Sequence, residues 1–289
     1  MPLTTIQPEL LKARRDGYAV PMFDIFELSL WHDVVRVAEL KRGPVIAGMY
    51  DSFLSWEETP TAVAMLKHLA ERTAVPVSLM LDHGSSPEQC EKAIAMGFTD
   101  VMFDGSRLSL EENIAQTLRV VEAAHARGVC VEGELGRVGS GREYDHEDAR
   151  QFFTDPDEAA RFVEETGVDF LAVAVGTAHG HYKGEPRLDL DLLGTIAGRV
   201  DVPLVLHGGT GLDEAQYRGA IEHGITKINI ATDLYDRAQA AMTDAATGDK
   251  PSFFSITKAM HNTVRERMGY HFDLFGAAGK APDASANEA

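Results

Sequence analysis

Residues 76–104 read PVSLMLDHGSSPEQCEKAIAMGFTDVMFD. This stretch opens with an apolar, strand-like run, Pro76–Leu81, that ends abruptly in Asp82-His83-Gly84. A segment of helical period follows, Ser86–Met96, closed by Gly97, where a residue just past a helix must take positive φ at low cost. A second short strand, Asp100–Phe103, then ends in Asp104. Strand, helix, strand, with an ionisable residue at each strand exit, is a βα unit and not a hairpin.

The same alternation extends outward in both directions. Strands are predicted at Ala19–Phe23, Pro44–Gly48, Val129–Gly133, Phe170–Val175, Pro203–Leu206 and Lys227–Ile230, which with the two above makes eight. Between them lie helical segments at Leu30–Lys41, Thr59–Arg72, Leu110–Arg127, Pro156–Thr166, Leu190–Gly198 and Asp213–His223. Eight alternations in 289 residues fit a single α/β (β/α)₈ TIM barrel better than an open doubly wound sheet. Leu3–Arg15 reads as a helix closing the barrel bottom, and Leu234–Thr243 and Ser255–Met268 as extra C-terminal helices. No linker interrupts the chain, so residues 1–275 are assigned to one barrel domain. The small, polar stretch 276–289 reads as a mobile tail.

Bulk properties narrow the partners. A formal net charge of −18 repels phosphodiester backbones and anionic membranes, so neither nucleic acid nor a membrane is an expected partner. The two cysteines, Cys90 and Cys130, form no disulfide framework, no secretory signal is legible, and no apolar run nears the roughly 20 residues of a bilayer span. The expectation is a soluble, cytoplasmic protein.

The polar residues gather at the strand exits: Asp24, Asp82 with His83, Asp104, Glu134, His207 and Asn229, with His179 a few residues past strand six. In a (β/α)₈ barrel these exits converge on one mouth, where active sites of this fold lie. So many ionisable groups brought together in a poorly solvated place call for a cation. A lone histidine is more often structural than a ligand. Three at strand exits, each followed by glycine (His83, His179 and His207), fit zinc or a similar ion with an open coordination position. His181 is kept as a neighbour of the site. The loops Gly208-Gly209-Thr210-Gly211 and Asn229-Ile230-Ala231-Thr232 each lead into a helix. Glycine backbone N–H groups and helix dipoles there suit a phosphate.

At this point the chain resembles the class II (zinc-dependent) fructose-bisphosphate and tagatose-bisphosphate aldolases. The likeness rests on Leu81-Asp82-His83-Gly84, Phe103-Asp104-Gly105-Ser106 with Glu111-Glu112-Asn113, Glu132-Gly133-Glu134-Leu135-Gly136, Gly176-Thr177-Ala178-His179-Gly180, Leu206 to Gly211, and Lys227 to Thr232. The resemblance implies retro-aldol cleavage of a phosphorylated ketose, a 1-phosphate or 1,6-bisphosphate, to dihydroxyacetone phosphate and an aldehyde. By the same resemblance one Zn²⁺ per subunit is held by His83, His179 and His207, and Asp82 exchanges a proton with the substrate. Asp104 and Glu134 occupy outer or alternate metal positions. Gly180, Gly208, Gly209, Thr210, Asn229, Ile230, Ala231 and Thr232 grip the phosphate and carbonyl end, beside a monovalent cation (Na⁺ or K⁺). Glu143, in the loop after strand five, is the candidate for a second proton shuttle, and relatives are homodimers or homotetramers.

The aldehyde side departs from the family pattern. Asp24 stands where asparagine is usual, Ser52 is displaced from the early serine or threonine of the second strand exit, and Lys250 replaces an arginine. The acceptor aldehyde is therefore read as atypical, with Asp24, Ser52 and Lys250 as its candidate contacts. Two other readings stay open on sequence: a metal-dependent hydrolase using His179-Gly180-His181, and a non-catalytic regulatory subunit on an aldolase-like scaffold.

Overall fold

The computed structural model describes residues 3–141, 150–182 and 184–282. Eight parallel strands close into a barrel in the order β1-β10-β9-β7-β5-β4-β3-β2. They are β1 (Val20–Asp24), β2 (Val45–Tyr50), β3 (Val77–Gly84), β4 (Asp100–Phe103), β5 (Cys130–Leu135), β7 (Phe170–Val173), β9 (Leu204–Leu206) and β10 (Ile225–Ile230). Almost every strand residue is buried, as expected when one face fills the barrel and the other lies under helices. All eight sequence-read strands are therefore present, with ends shifted by a few residues.

Two shorter strands were not read from the sequence. Residues of β6 (Gly139–Ser140) pair in parallel with β8 (Ala178–His179), Ser140 opposite His179. The start of the loop after strand five is thus pinned beside a candidate ligand. With only two residues each, these strands carry no periodicity to detect.

The helices start where the chain supplies an acceptor for their orphan N–H groups. Ser86, Ser109, Asp155 and Asp213 each accept a backbone N–H of the first turn. The bottom helix is Gln7–Asp16, and its Arg14 donates to the Val200 carbonyl at 2.8 Å across the barrel floor. The C-terminal helices are longer than their sequence reading, Thr232–Thr247 and Phe253–Leu274.

The assignment of a mobile tail from residue 276 needs correcting for its first seven residues. Ala277 is fully buried, Gly279 N–H donates to the Lys41 carbonyl at 2.8 Å, and Ala281 N–H to the Arg42 carbonyl at 2.9 Å. Backbone hydrogen bonding docks this stretch without help from large side chains, so its composition gives no sign of it. Residues 283–289 lie outside the described residues.

Asp100, fully buried at the start of β4, ties the N-terminal segment to the floor. It accepts the Ile6 N–H at 3.1 Å and the hydroxyls of Ser78 at 2.6 Å and Thr99 at 2.9 Å. Burial outweighs these bonds and pushes its carboxyl up to about 7. A carboxyl raised in the folded state gives stability that is present below its unfolded value near 4 and is lost as pH rises through the folded value. Urea unfolding of Asp100→Asn and wild type should therefore show a stability difference that shifts toward the variant between about pH 4 and 7, by at most about 1.4 kcal/mol per pH unit. A pH-independent difference would remove Asp100 as the titrating group.

Candidate active site

At the C-terminal ends of the strands lies a cavity of about 510 Å³, within the size range of small-ligand sites. Asp24, Asp82, His83, Asp104, His179, Gly180, His207, Gly208, Gly209, Thr210, Asn229, Ala231 and Thr232 line it. The sequence had placed all of these at the mouth.

Three imidazoles meet at its floor. His83 Nε2 is 3.2 Å from His179 Nε2 and 3.1 Å from His207 Nδ1. Their other ring nitrogens are engaged elsewhere. His83 Nδ1–H donates to Asp104 Oδ2 at 2.8 Å, His207 Nε2–H donates to Glu132 Oε1 at 2.7 Å, and the His179 ring bonds the Val138 backbone. Each ring is thereby fixed with its remaining nitrogen facing the other two, an arrangement that calls for a proton on His83 or a metal cation between the nitrogens. A tetrahedral ion about 2.0–2.1 Å from each nitrogen needs nitrogens roughly 3.3–3.4 Å apart, close to what is seen. The residues fit a divalent metal. His83, Asp104 and Glu134 form a second, overlapping group with ligand atoms within 4.8 Å of one another.

Electrostatics point the same way. Burial works against a charge on His83, but Asp82, Asp104 and Glu134 overcome it and push the imidazole up to about 10. Burial, then the charge of His83, takes His179 down to about 4 and His207 well below the usual range. Asp104 is half-sheltered, yet the bond and charge from His83 and two bonds from Ser106 hold its carboxyl well below the carboxylate range. Burial and then Asp104 push Glu134 up to about 8. Burial and then Asp82 raise Asp24 well above the ordinary carboxylate value.

Local backbone delivers these groups. The register of β3 against β4 slips between Leu81 and Gly84, and His83 takes φ +51°, unusual for a residue with a side chain. At Gly208, φ is +68° and a Cβ would lie 2.5 Å from the Ala178 carbonyl oxygen, so only glycine lets these two loops touch. Tyr182 bridges the same loops, its hydroxyl accepting the Ala178 N–H at 2.5 Å and donating to the Gly208 carbonyl at 2.7 Å.

Sequence reasoning overlooked a buried chain beneath the mouth. Lys227, fully buried, pairs with Glu132 Oε2 at 2.9 Å and donates to Asn229 Oδ1 at 2.7 Å. Asn229 Nδ2 in turn donates to Asp82 Oδ1 at 2.9 Å. The signal was a lone lysine inside an apolar strand, where a charge must have a partner.

Other candidates fall elsewhere. Ser52 and Lys250 are exposed, and neither is among the residues lining the cavity. Ile230 is fully buried in β10, so only its backbone can take part. The His181 side chain is turned outward to Asp236, 3.3 Å away, so the His-x-His pair does not converge with His179. Glu143 lies outside the described residues. Arg107 and Arg137, not singled out from the sequence, line the cavity.

Comparisons with known proteins agree with this geometry. Residues 4–280 match the family model described as "Fructose-bisphosphate aldolase class-II". A Bacillus subtilis (strain 168) protein named "Probable fructose-bisphosphate aldolase" is 44% identical over 287 residues, covering 97% of this chain and all of that protein. A Staphylococcus aureus (strain Mu50) fructose-bisphosphate aldolase is 40% identical over 253 residues, 86% of this chain and 88% of its own. The crystal structure of the YdjI aldolase from Escherichia coli K12 superposes with a TM-score of 0.87 at 34% identity, covering 97% of this chain and all of that one. A barrel whose strand exits bring three inward-facing histidines together, matched over nearly its whole length by these relatives, belongs to the class II fructose-bisphosphate aldolase family.

Proposed function

We propose that the chain is a zinc-dependent aldolase that reversibly cleaves a phosphorylated ketose to dihydroxyacetone phosphate and an aldehyde. The observation that carries this reading is the convergence of His83, His179 and His207 on one point, 3.1–3.2 Å apart. These three residues would hold the ion. Zinc when bound supplies Lewis-acid stabilisation of the negative charge that develops on the ketone oxygen as the C3–C4 bond breaks.

The chain's own residues do the rest. Asp82 takes the C4 hydroxyl proton on cleavage and returns it on condensation. The Asn229 amide occupies Asp82 Oδ1, which fixes the carboxylate plane and directs the other oxygen to the substrate. The glycine-rich backbone of Gly180 and Gly208 to Thr210, with Asn229 to Thr232, receives the donor phosphate, and Thr232 begins a helix whose N-terminal dipole favours an anion. A monovalent cation beside Gly180 and Gly208 would assist. Glu143 is the proposed second proton shuttle. Asp104 and Glu132 keep His83 and His207 in the ligating tautomer. The acceptor half is read as atypical, because Asp24 adds a carboxyl to that side and neither Ser52 nor Lys250 lines the cavity. Phe253 and Phe254, 87% and 75% exposed, offer an apolar surface for assembly into a homodimer or homotetramer.

Three measurements test this. Dihydroxyacetone phosphate should appear when the protein is given a panel of ketose 1-phosphates and 1,6-bisphosphates, and a chelator should abolish it; its absence with every ketose would overturn the reading. Asp82→Ala should lower kcat by about 10²- to 10⁴-fold with zinc content unchanged, and a wild-type rate would take Asp82 out of the mechanism. Glu132→Gln should weaken zinc binding by about 10- to 100-fold in chelator competition, since His207 loses the carboxylate that fixes its tautomer. Unaltered affinity would show that Glu132 does not orient the ligand.

A further inference from the structure

We infer that Arg107 binds a terminal oxyanion, phosphate or carboxylate, on the acceptor half of the ketose, and so determines substrate choice. The inference rests on the aldolase reading above and concerns the opposite end of the substrate from the donor phosphate. The closed strand order fixes where that end lies. In the ring of eight, β10 is four places from β4, and β7 is four places from β2. The loops offered to the donor phosphate leave β7, β9 and β10. A linear sugar phosphate anchored there and passing over the three histidines must run out toward the exits of β2, β3 and β4.

The side chains found there are of two kinds. Tyr50 ends β2 and faces the His83 ring, with centroids 5.9 Å apart, and Phe53 follows; both line the cavity. Phe26 and Trp56 extend this wall outward, packed on Phe53 at 5.2 and 4.6 Å between ring centroids and 6.1 Å from each other. Such a wall covers carbon–hydrogen faces of a sugar chain but offers no charge for a terminal anion. The charge is supplied by Arg107 in the loop after β4. It lines the same cavity, is exposed, and makes no ion pair among the described residues. Arg137, the other arginine of the lining, sits after β5, 5.4 Å over the Phe152 ring, so its guanidinium is already engaged. A planar guanidinium suits either oxyanion, since both present two oxygens to its fork.

The test uses the zinc-loaded full chain, wild type, Arg107→Ala and Arg137→Ala, with dihydroxyacetone phosphate release as the readout. The substrates are fructose 1-phosphate, fructose 1,6-bisphosphate and a ketose 1-phosphate ending in a carboxylate. Arg107→Ala should lower kcat/KM about 100-fold, mainly through KM, on whichever oxyanion-ended substrate wild type prefers. It should stay within about 3-fold of wild type on fructose 1-phosphate, and added guanidinium should restore part of the loss. Preference between the second and third substrates tells phosphate from carboxylate. Equal losses on charged and uncharged acceptor ends, no loss at all, or a charge-selective loss in Arg137→Ala instead would overturn the inference while leaving the aldolase reading intact. Release from none of the three by wild type would overturn both.

Discussion

The buried ion pair between Lys227 and Glu132 is the interaction on which the mouth depends. Both side chains are fully buried, 2.9 Å apart, under the cavity floor. A charge in that position is tolerable only when paired and hydrogen-bonded, and removing either partner strands the other at a cost of several kcal/mol, about 3–5. Each spare atom of the pair is used. The second Glu132 oxygen takes the His207 N–H, and the ammonium holds the Asn229 carbonyl oxygen, which aims the amide at Asp82. One buried contact thus orients a candidate metal-binding imidazole and the candidate proton-transfer carboxylate together, from beneath. In such a layout solvent has no access to the groups that set the geometry, so their arrangement is fixed before any ligand arrives.

Much of this was legible in the sequence because strand exits are marked by a change of residue type. Apolar runs that stop at Asp24, Asp82-His83, Asp104, His207 and Asn229 give both the fold and the location of the mouth, since the barrel brings all exits to one end. Glu132 and Glu134 are two apart on β5 and so point the same way, inward. What stayed hidden depends on pairing between distant strands. The bond from Lys227 to Glu132 joins residues 95 positions apart, on strands that are not neighbours in the barrel. No local pattern encodes that meeting. The docking of residues 276–282 was hidden for a similar reason, because backbone groups make it and they are the same in every sequence.

His83 shows where local rules fail at a functional position. A side chain at φ +51° costs on the order of 1 kcal/mol and is kept only where surroundings over-determine it. Here the constraint comes from both sides. Its Nδ1–H is held by Asp104, and the next residue, Gly84, pairs with Phe103 so closely that a Cβ would lie 2.5 Å from the Met102 carbonyl oxygen. The slip in register turns the ring off the sheet and over the mouth. A regular continuation of β3 would place successive side chains on opposite faces, so Asp82 and His83 could not both look into the cavity. The bulge is what lets adjacent residues serve one site.

A protein of net charge −18 that takes a sugar phosphate, as proposed, must confine its attraction to the mouth. Over distances longer than about 8 Å, salt at physiological strength screens the overall repulsion, so the field at the cavity is decided by groups lining it. Those groups are divided by position in the proposed reading. The glycine loops and the start of the helix Thr232–Thr247 contribute N–H dipoles on one side, and Arg107 a full charge on the other. Between them, Asp82, Asp104, Asp24 and Glu134 would repel the substrate if all were ionised. Burial works against that charge on Asp24 and pushes Glu134 up to about 8, while Asp104 is committed to His83. The acidic lining therefore concentrates its negative charge around the three imidazoles, where a divalent ion would balance it, and leaves the two ends of the cavity free to hold anions.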